Sequence, residues 1–166
     1  MAYLDELFDY KNRIMEDLMT NDTIVKLVNE NVSLEDAITL IHKQVFPYEY
    51  IPDTVEEGYT FICVDVDLLS ADNKTFYNPV IYIWEFTHKS KLRLPEGGVR
   101  TDKLASEIAR EINGSRYYGL GELSLYSMKR FAPIVDFQGK VLVFHAKDFN
   151  RPFDGKRPTP ANRKNW

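Results

Sequence analysis

The chain of 166 residues contains a single cysteine, Cys63. One cysteine excludes a disulfide within the chain and favours a reducing compartment. Because Cys63 stands among Phe61, Ile62 and Val64, we expect a small buried side chain rather than a reactive thiol. No apolar run approaches the ~20 residues of a membrane-spanning helix, and the acidic start of the chain is unlike a signal peptide. We therefore expect a soluble protein that is intracellular where it is made.

Basic side chains are scarce in most of the chain and concentrated at its end. Residues 1–150 contain 16 Lys and Arg against 24 Asp and Glu, a net charge of −8. Residues 151–166 contain five basic residues and one acidic residue, a net charge of +4. General nucleic-acid binding needs a basic surface, so the acidic body argues against it. A basic tail on an acidic body indicates instead that copies of the chain contact one another.

Short catalytic and metal-binding patterns are also scarce. His42, His88 and His145 are scattered, without the spacing of a metal-binding pair, and the sequence has no GxSxG pattern. Asp65 and Asp67 share one strand face and could hold a divalent cation, although a solvated or interface face explains them as well. We predict no metal site, no cofactor and no enzymatic activity.

One enzymatic alternative stays open. Pro52-Asp53 followed by Asp72-Asn73-Lys74 resembles the PD…(D/E)xK signature of metal-dependent nucleases, in which the acids hold a metal ion and the lysine assists the attack of water. Against it, Asp72-Asn73-Lys74 has the composition of a hairpin turn, whereas that family places its pattern within a strand.

Hydrophobic periodicity predicts three helices before any strand. Apolar residues at spacings of three and four predict a helix over residues 3–19. Asn21 or Asp22 can cap a short second helix, and Ser33 with Asp36 resembles the capping box of a third. The inner face of this third helix would hold Leu34, Ile38 and Ile41.

Alternating residues then predict four strands, and helical spacing of apolar residues predicts one further helix between the second and third strands. Thr101 is expected to cap the helix, residues 102–113, and Gly114 to end it in a left-handed conformation. Apolar residues on both faces of the first two strands indicate that both faces are covered. The strands are expected at residues 59–69, 75–89, 122–129 and 140–147, with Gln138-Gly139 before the last.

These elements predict a single α+β domain over residues 1–150. It would have N-terminal helices and a mainly antiparallel sheet of about four strands with a helix packed on it. Residues 151–166 would form a basic, extended C-terminal arm, since they contain three prolines and no apolar periodicity.

Aromatic and basic side chains are frequent outside the predicted helices and strands. Tyr, Trp and Arg are favoured at protein interfaces, so these positions are candidates for contacts between subunits or with partners. The candidate residues are Arg93, Arg100, Tyr117, Tyr118, Lys129, Arg130, Phe131, Arg151, Phe153, Lys156, Arg157, Arg163, Lys164 and Trp166.

Three segments carry a resemblance to a known group of proteins: TFYNPVIYIWEFTHKS, RTDKLASEIAREINGS and GKVLVFHAKDFN. In the order of their predicted helices and strands and in the general character of their sequence, residues 1–150 resemble the tail terminator (tail completion) proteins of tailed bacteriophages and the related neck proteins. The resemblance implies a non-enzymatic structural protein that forms a ring, usually of six subunits. Such a ring stops polymerisation of the tail tube and joins the tail to the head connector.

The same resemblance implies the partners and the location. The ring would contact further copies of itself, the tail tube, the sheath where one exists, and the head connector or stopper protein. DNA would pass through an acidic channel only as cargo, and no membrane is involved. A head–tail connector or stopper of the neck is the alternative within this class. The protein would lie in the tail or neck of the virion, and in the host cytoplasm during assembly.

Overall fold

A computed structural model of the chain describes residues 7–53, 58–70, 77–118 and 121–147. The predicted turn at Asp72-Asn73-Lys74 and the predicted arm, residues 151–166, lie outside the described residues. The elements, in chain order, are α1 (Leu7–Leu18), α2 (Asp22–Val28), a 3₁₀ helix (Ala37–Leu40), β1 (Val45–Phe46), β2 (Thr60–Ser70), β3 (Tyr77–His88), a second 3₁₀ helix (Lys89–Lys91), α3 (Arg100–Ile112), β4 (Glu122–Phe131) and β5 (Phe137–Lys147).

The strands form one mixed sheet in the order β1-β2-β3-β5-β4. Its long strands are antiparallel to their neighbours, and only β1 runs parallel, beside β2. The predicted α+β class, with N-terminal helices and a helix on the sheet, is confirmed. The sequence did not reveal β1, because two residues are too few to show an alternating pattern.

The N-terminal helices follow their local signals. The side chain of Asn21 accepts hydrogen bonds from the backbone N–H groups of Thr23 and Ile24, at 3.0 and 3.2 Å, and so caps α2 as predicted. Among the described residues, no helix has the length and apolar composition needed to cross a membrane.

The predicted third helix is wrong in its winding and in its inner face. Ser33 Oγ and Asp36 Oδ2 do bond to each other, at 3.0 Å, but the segment continues only as the 3₁₀ helix Ala37–Leu40. With three residues per turn, Ala37 and Leu40 fall on one side and are buried. Leu34 and Ile38, expected inside, are 43% and 55% exposed.

Helix α3 begins earlier than predicted, because tertiary contacts hold its first turn. Val99 is the residue before the helix and makes no side-chain cap, while Thr101 is buried inside the first turn. Arg100 Nε donates to the Lys91 carbonyl and Nη1 donates to the Leu27 carbonyl, both at 2.9 Å. The predicted end is confirmed, since Gly114 has a φ of 81°.

The core lies between the helices and one face of the sheet, which we call the inner face. Helices α1 and α2 pack on β2, and α3 packs on β3 and β5. The predicted alternation of side chains is confirmed for β2, β3 and β5. Fully buried residues of the inner face include Ile62, Val64, Ile81, Ile83, Leu142 and Phe144. Burying each such side chain contributes about 1.5–3 kcal/mol.

Gly139 lies within β5 rather than before it, which corrects the predicted start of that strand. It pairs with Phe86 of β3, and a Cβ atom at this position would lie 1.7 Å from the Glu85 carbonyl oxygen. Only glycine allows this approach of the two backbones.

One charged residue occupies the inner face. Glu85 is paired in register with Ile62 on one side and Lys140 on the other, and its side chain is fully buried. Neither carboxylate oxygen makes a hydrogen bond of normal geometry to another described residue. Burial raises the pKa of Glu85 well above its ordinary value of 4.5, and the nearby Lys140 opposes this shift only in part. Glu85 therefore favours the protonated form in the folded protein.

Replacing Glu85 with glutamine is expected to stabilise the protein increasingly as pH rises above 4.5. In this range the folded state holds a proton that the unfolded state has lost, so the wild-type free energy of unfolding falls with pH. The glutamine variant does not lose stability in this way. Its advantage over the wild type in free energy of unfolding therefore grows by up to about 1.4 kcal/mol per pH unit. Urea unfolding at pH 4.5 and at pH 7.5 measures it. An equal difference at the two pH values would show that Glu85 is not held protonated.

Candidate partner-binding surface

The sheet face turned away from the helices, the outer face, is covered at one end by aromatic side chains. Tyr50 stacks on Phe46 at a ring distance of 4.3 Å, and its backbone N–H lies 3.4 Å from Cys63 Sγ. Burial raises the pKa of the Cys63 thiol to about 12, as expected for an unreactive core cysteine. The buried members of this aromatic cluster are Phe46, Phe61, Cys63, Phe86 and Phe137.

The other end of the outer face lacks such an aromatic cover among the described residues. We call it the outer patch, and it consists of Asp65, Asp67, Tyr82, Tyr126, Val143 and His145. The pairing of β2 with β3, and of β3 with β5, aligns these side chains across the sheet. Tyr82, Val143 and His145 are half-buried, Tyr126 is 71% exposed, and Val80, which lies between Asp67 and His145, is buried. Within one chain the inner face and part of the outer face are covered, and cover of the rest by a neighbouring subunit stays a prediction.

A β-bulge lies at Tyr126 of this patch. Leu125 pairs with Phe144 and Ser127 with Val143, so Tyr126 is an extra residue in β4 without a partner in β5. Its ring stacks on His145 at 4.3 Å with an interplanar angle of 9°. A second stack, Tyr82 on Trp84 at 5.6 Å, connects the patch to the aromatic cluster. The surface thus presents the faces and edges of preordered aromatic rings.

The carboxylates of the patch do not form a metal site with other described groups. Lys11 Nζ lies 2.5 Å from Asp65 Oδ1 and also donates to the Pro47 carbonyl at 3.1 Å. Asp67 is exposed. In the described parts of the chain, no three His, Cys, Asp or Glu side chains come close enough to hold a metal ion. The patch can therefore bind through stacking and apolar contact, with Asp67 as a charged edge.

The nuclease alternative depends on residues that are only partly described. Asp53 is exposed, whereas Asp72, Asn73 and Lys74 lie outside the described residues. The nuclease alternative therefore stays an untested prediction.

The polar cavity beside α2, about 320 Å³ in volume, has a structural explanation. Its lining includes Gln44, whose amide donates to the Val28 and Thr60 carbonyls at 3.2 and 3.0 Å. Arg100 also lines the cavity and makes the two hydrogen bonds to backbone carbonyls given above. At its edge, Lys91 Nζ lies 3.6 Å from Glu30 Oε1. These groups connect α2, α3 and β2 to one another.

The predicted contact residues divide into exposed and structural ones. Arg93, Tyr117, Lys129 and Arg130 are exposed, and Tyr117 has 87% of its surface free. Lys129, Arg130 and Phe131 lie in strand β4, which continues two residues beyond its predicted end at residue 129, so Arg130 and Phe131 are not in a loop. Phe131 packs against the aromatic cluster.

Tyr118 and Arg100 are buried, so neither offers a free contact surface. The Tyr118 hydroxyl donates a hydrogen bond to the Asp17 carboxylate of α1. Burial, together with this carboxylate, raises the pKa of Tyr118. The predicted contact residues of the arm, Arg151, Phe153, Lys156, Arg157, Arg163, Lys164 and Trp166, lie outside the described residues and stay a prediction.

The sequence contained signals for features that the predictions missed. Alternation with Ile81 and Ile83 places Glu85 on the inner face. The same alternation places Tyr82 and Trp84 on the outer face, but it does not show where the cover of that face ends. The bulge at Tyr126 shifts the phase of the alternation in β4, since Leu123 and Leu125 face inward before it and Met128 pairs with the inward-facing Leu142 after it.

The model of the YomW family matches residues 12–146. The chain belongs to the YomW family. The YomW match begins within α1 and ends one residue before the end of β5, so it includes the whole outer patch. No curated protein matches the chain. Among solved structures, a chain of the "Virion of native gene transfer agent (GTA) particle" is similar at 18% identity and a TM-score of 0.46. The similarity covers 80% of this chain and 89% of that one.

Replacing Tyr118 with phenylalanine is expected to destabilise the protein by roughly 1.5 kcal/mol. The change removes the hydrogen bond to Asp17, and bonds to charged groups are worth about 1.5–3 kcal/mol. Tyr117→Phe is the matched control, because this exposed neighbour should change stability by less than about 0.5 kcal/mol. Chemical denaturation of both variants measures the difference, and equal effects would show that the Tyr118 hydroxyl contributes nothing specific.

Proposed function

We propose that this protein is a structural protein of the virion of a tailed bacteriophage. More specifically, we propose that it is the tail terminator, a ring of copies that ends the tail tube and joins the tail to the head connector. The resemblance of residues 1–150 to tail terminator and neck proteins supports the proposal. The observation that carries it is the outer patch, a partly exposed surface on which the rings of Tyr82 and Tyr126 lie.

The chemistry of the outer patch favours contact with another protein. Antiparallel sheets often expose one face to water, but such faces usually present polar side chains. The outer patch instead presents Tyr82, Tyr126 and Val143 beside its polar side chains. Aromatic residues are enriched at protein interfaces, because they bury a large area and lose little conformational freedom. A second copy of the chain is the occupant that we propose.

A ring also needs a charge arrangement that lets DNA pass. The net charge of −8 over residues 1–150 would repel the DNA backbone at the channel wall, so DNA would slide as cargo without binding. The two ends of the ring would face the tail tube, with any sheath, and the head connector or stopper protein. No cofactor enters this function.

The purified protein is expected to form rings, with a mass of about 116 kDa for six chains of 19.4 kDa. Tyr126→Asp should dissociate them, because it replaces an exposed ring of the proposed contact with a charge. Native mass spectrometry measures the oligomer, and thermal melting checks that the variant is folded. Val135→Asp is the control, since Val135 is 95% exposed and lies outside the outer patch. A wild-type protein that is monomeric at micromolar concentration would contradict the proposal.

Deletion of the gene from the virus that carries it is expected to produce tails longer than normal. Tube subunits add to one another through repeated identical contacts, so growth continues without a terminator. Electron microscopy measures the tail lengths. Tails of normal length that fail to join heads would instead assign the protein to the connector or stopper role. Intact virions would contradict both roles.

A further inference from the structure

A groove of about 310 Å³ lies on the helix side of the molecule, far from the outer patch. It runs between the C-terminal end of α1 and the segment that leads into the first 3₁₀ helix. The side chains that line it are Glu16, Met19, Thr20, Leu34, Glu35 and Ile38.

The floor of the groove is apolar, and its rim is acidic. Leu34 and Ile38 are 43% and 55% exposed, and beside them Met19 is buried. Ile38 remains at the surface because the 3₁₀ helix turns Ala37 and Leu40 to the core in its place, while Leu34 lies in the turn before that helix. Glu16 and Glu35 are exposed carboxylates, and the residues that line the groove include no basic side chain. A ligand that matches this groove combines an apolar group with positive charge.

We infer that the groove binds the C-terminal arm, residues 151–166, of a neighbouring copy of the chain. The arm has five basic residues against one acidic residue, and it contains Phe153 and Trp166. An aromatic ring on Leu34 and Ile38 would bury apolar surface, while arginine or lysine neighbours would face Glu16 and Glu35. The inference rests on the proposed ring of copies.

The arm is long enough to reach a neighbour. Strand β5 ends at Lys147, and the sequence continues for 19 residues to Trp166. A proline-rich segment spans about 3.1 Å per residue, so these residues reach roughly 60 Å. A small domain is about 30 Å across. Pro152, Pro158 and Pro160 favour such an extended backbone.

A ring gives the reason for contact with a neighbour rather than within one copy. A closed ring with rotational symmetry uses heterologous contacts, in which each subunit offers two different surfaces. The outer patch and the groove lie on opposite sides of the sheet and can therefore serve different neighbours. Each arm contact alone would be weak, but several arms held in one ring act together.

Site-directed cross-linking in the full-length protein tests the contact. Two differently tagged chains are coexpressed, one with Phe153→Cys and the other with Ile38→Cys, and treated with a short bismaleimide. The native Cys63 is fully buried, which keeps the background low. We expect a covalent dimer that carries both tags. The matched control pairs Phe153→Cys with Val135→Cys, which is more exposed than Ile38 but lies outside the groove.

The cross-linking outcomes separate this inference from the proposed function. Rings that form but give no mixed dimer above the control would overturn the arm contact and leave the ring intact. A doubly substituted chain that links only within itself would show that each arm binds its own groove, which also overturns the inference. A protein that forms no oligomer would overturn both proposals.

Charge exchange provides an independent test. The double substitution Glu16→Lys, Glu35→Lys should raise the concentration at which rings dissociate at least tenfold. Adding Lys156→Glu with Arg157→Glu, the basic residues that follow Phe153, should restore much of the loss, because the charges attract again with reversed sign. Glu49→Lys, Asp53→Lys is the control, since it changes the net charge equally at two exposed acids outside the groove. Equal weakening by the control, or no rescue, would contradict a specific arm contact.

Discussion

The register of β3 between β2 and β5 is the constraint on which the rest of the structure depends. Side chains alternate along a strand, so a shift of one residue would exchange the two faces of the sheet. The observed register places Ile81 and Ile83 under the helices and Tyr82 and Trp84 on the outer face. It also places Glu85 in the core, where burial raises the pKa of its carboxyl group. The close approach of Gly139 to β3 belongs to the same pairing.

Each candidate contact surface contains a local departure from regular geometry. The β-bulge in β4 makes Tyr126 an extra residue on the outer face, without a partner in β5. The 3₁₀ helix Ala37–Leu40 turns Ala37 and Leu40 to the core, and Leu34 and Ile38, which were predicted to be inside, are exposed. Tyr126, Leu34 and Ile38 are large and exposed, which makes them candidates for contacts with other molecules.

The distribution of charge fits a protein that works by assembly. Exposed carboxylates of the described body include Asp67 at the outer patch and Glu16 and Glu35 around the groove. The last 16 residues of the sequence contain five basic residues and one acidic residue. Opposite charges on different parts of one chain attract between copies as well as within one. In the proposed ring, two dissimilar surfaces on opposite sides of the sheet would allow copies to join in sequence.

The sequence by itself determined the helices and long strands, and also which side chains of each strand share a face. Period and capping residues are local properties, and they sufficed for the caps and ends at Asn21 and Gly114 and for the alternation along β2, β3 and β5. Only the tertiary structure decided what covers each face. Tyr118 and Arg100 have the composition of contact residues, yet they bond to Asp17 and to the Lys91 and Leu27 carbonyls. Exposure depends on segments far apart in the chain, and local patterns carry no information about their distance in space.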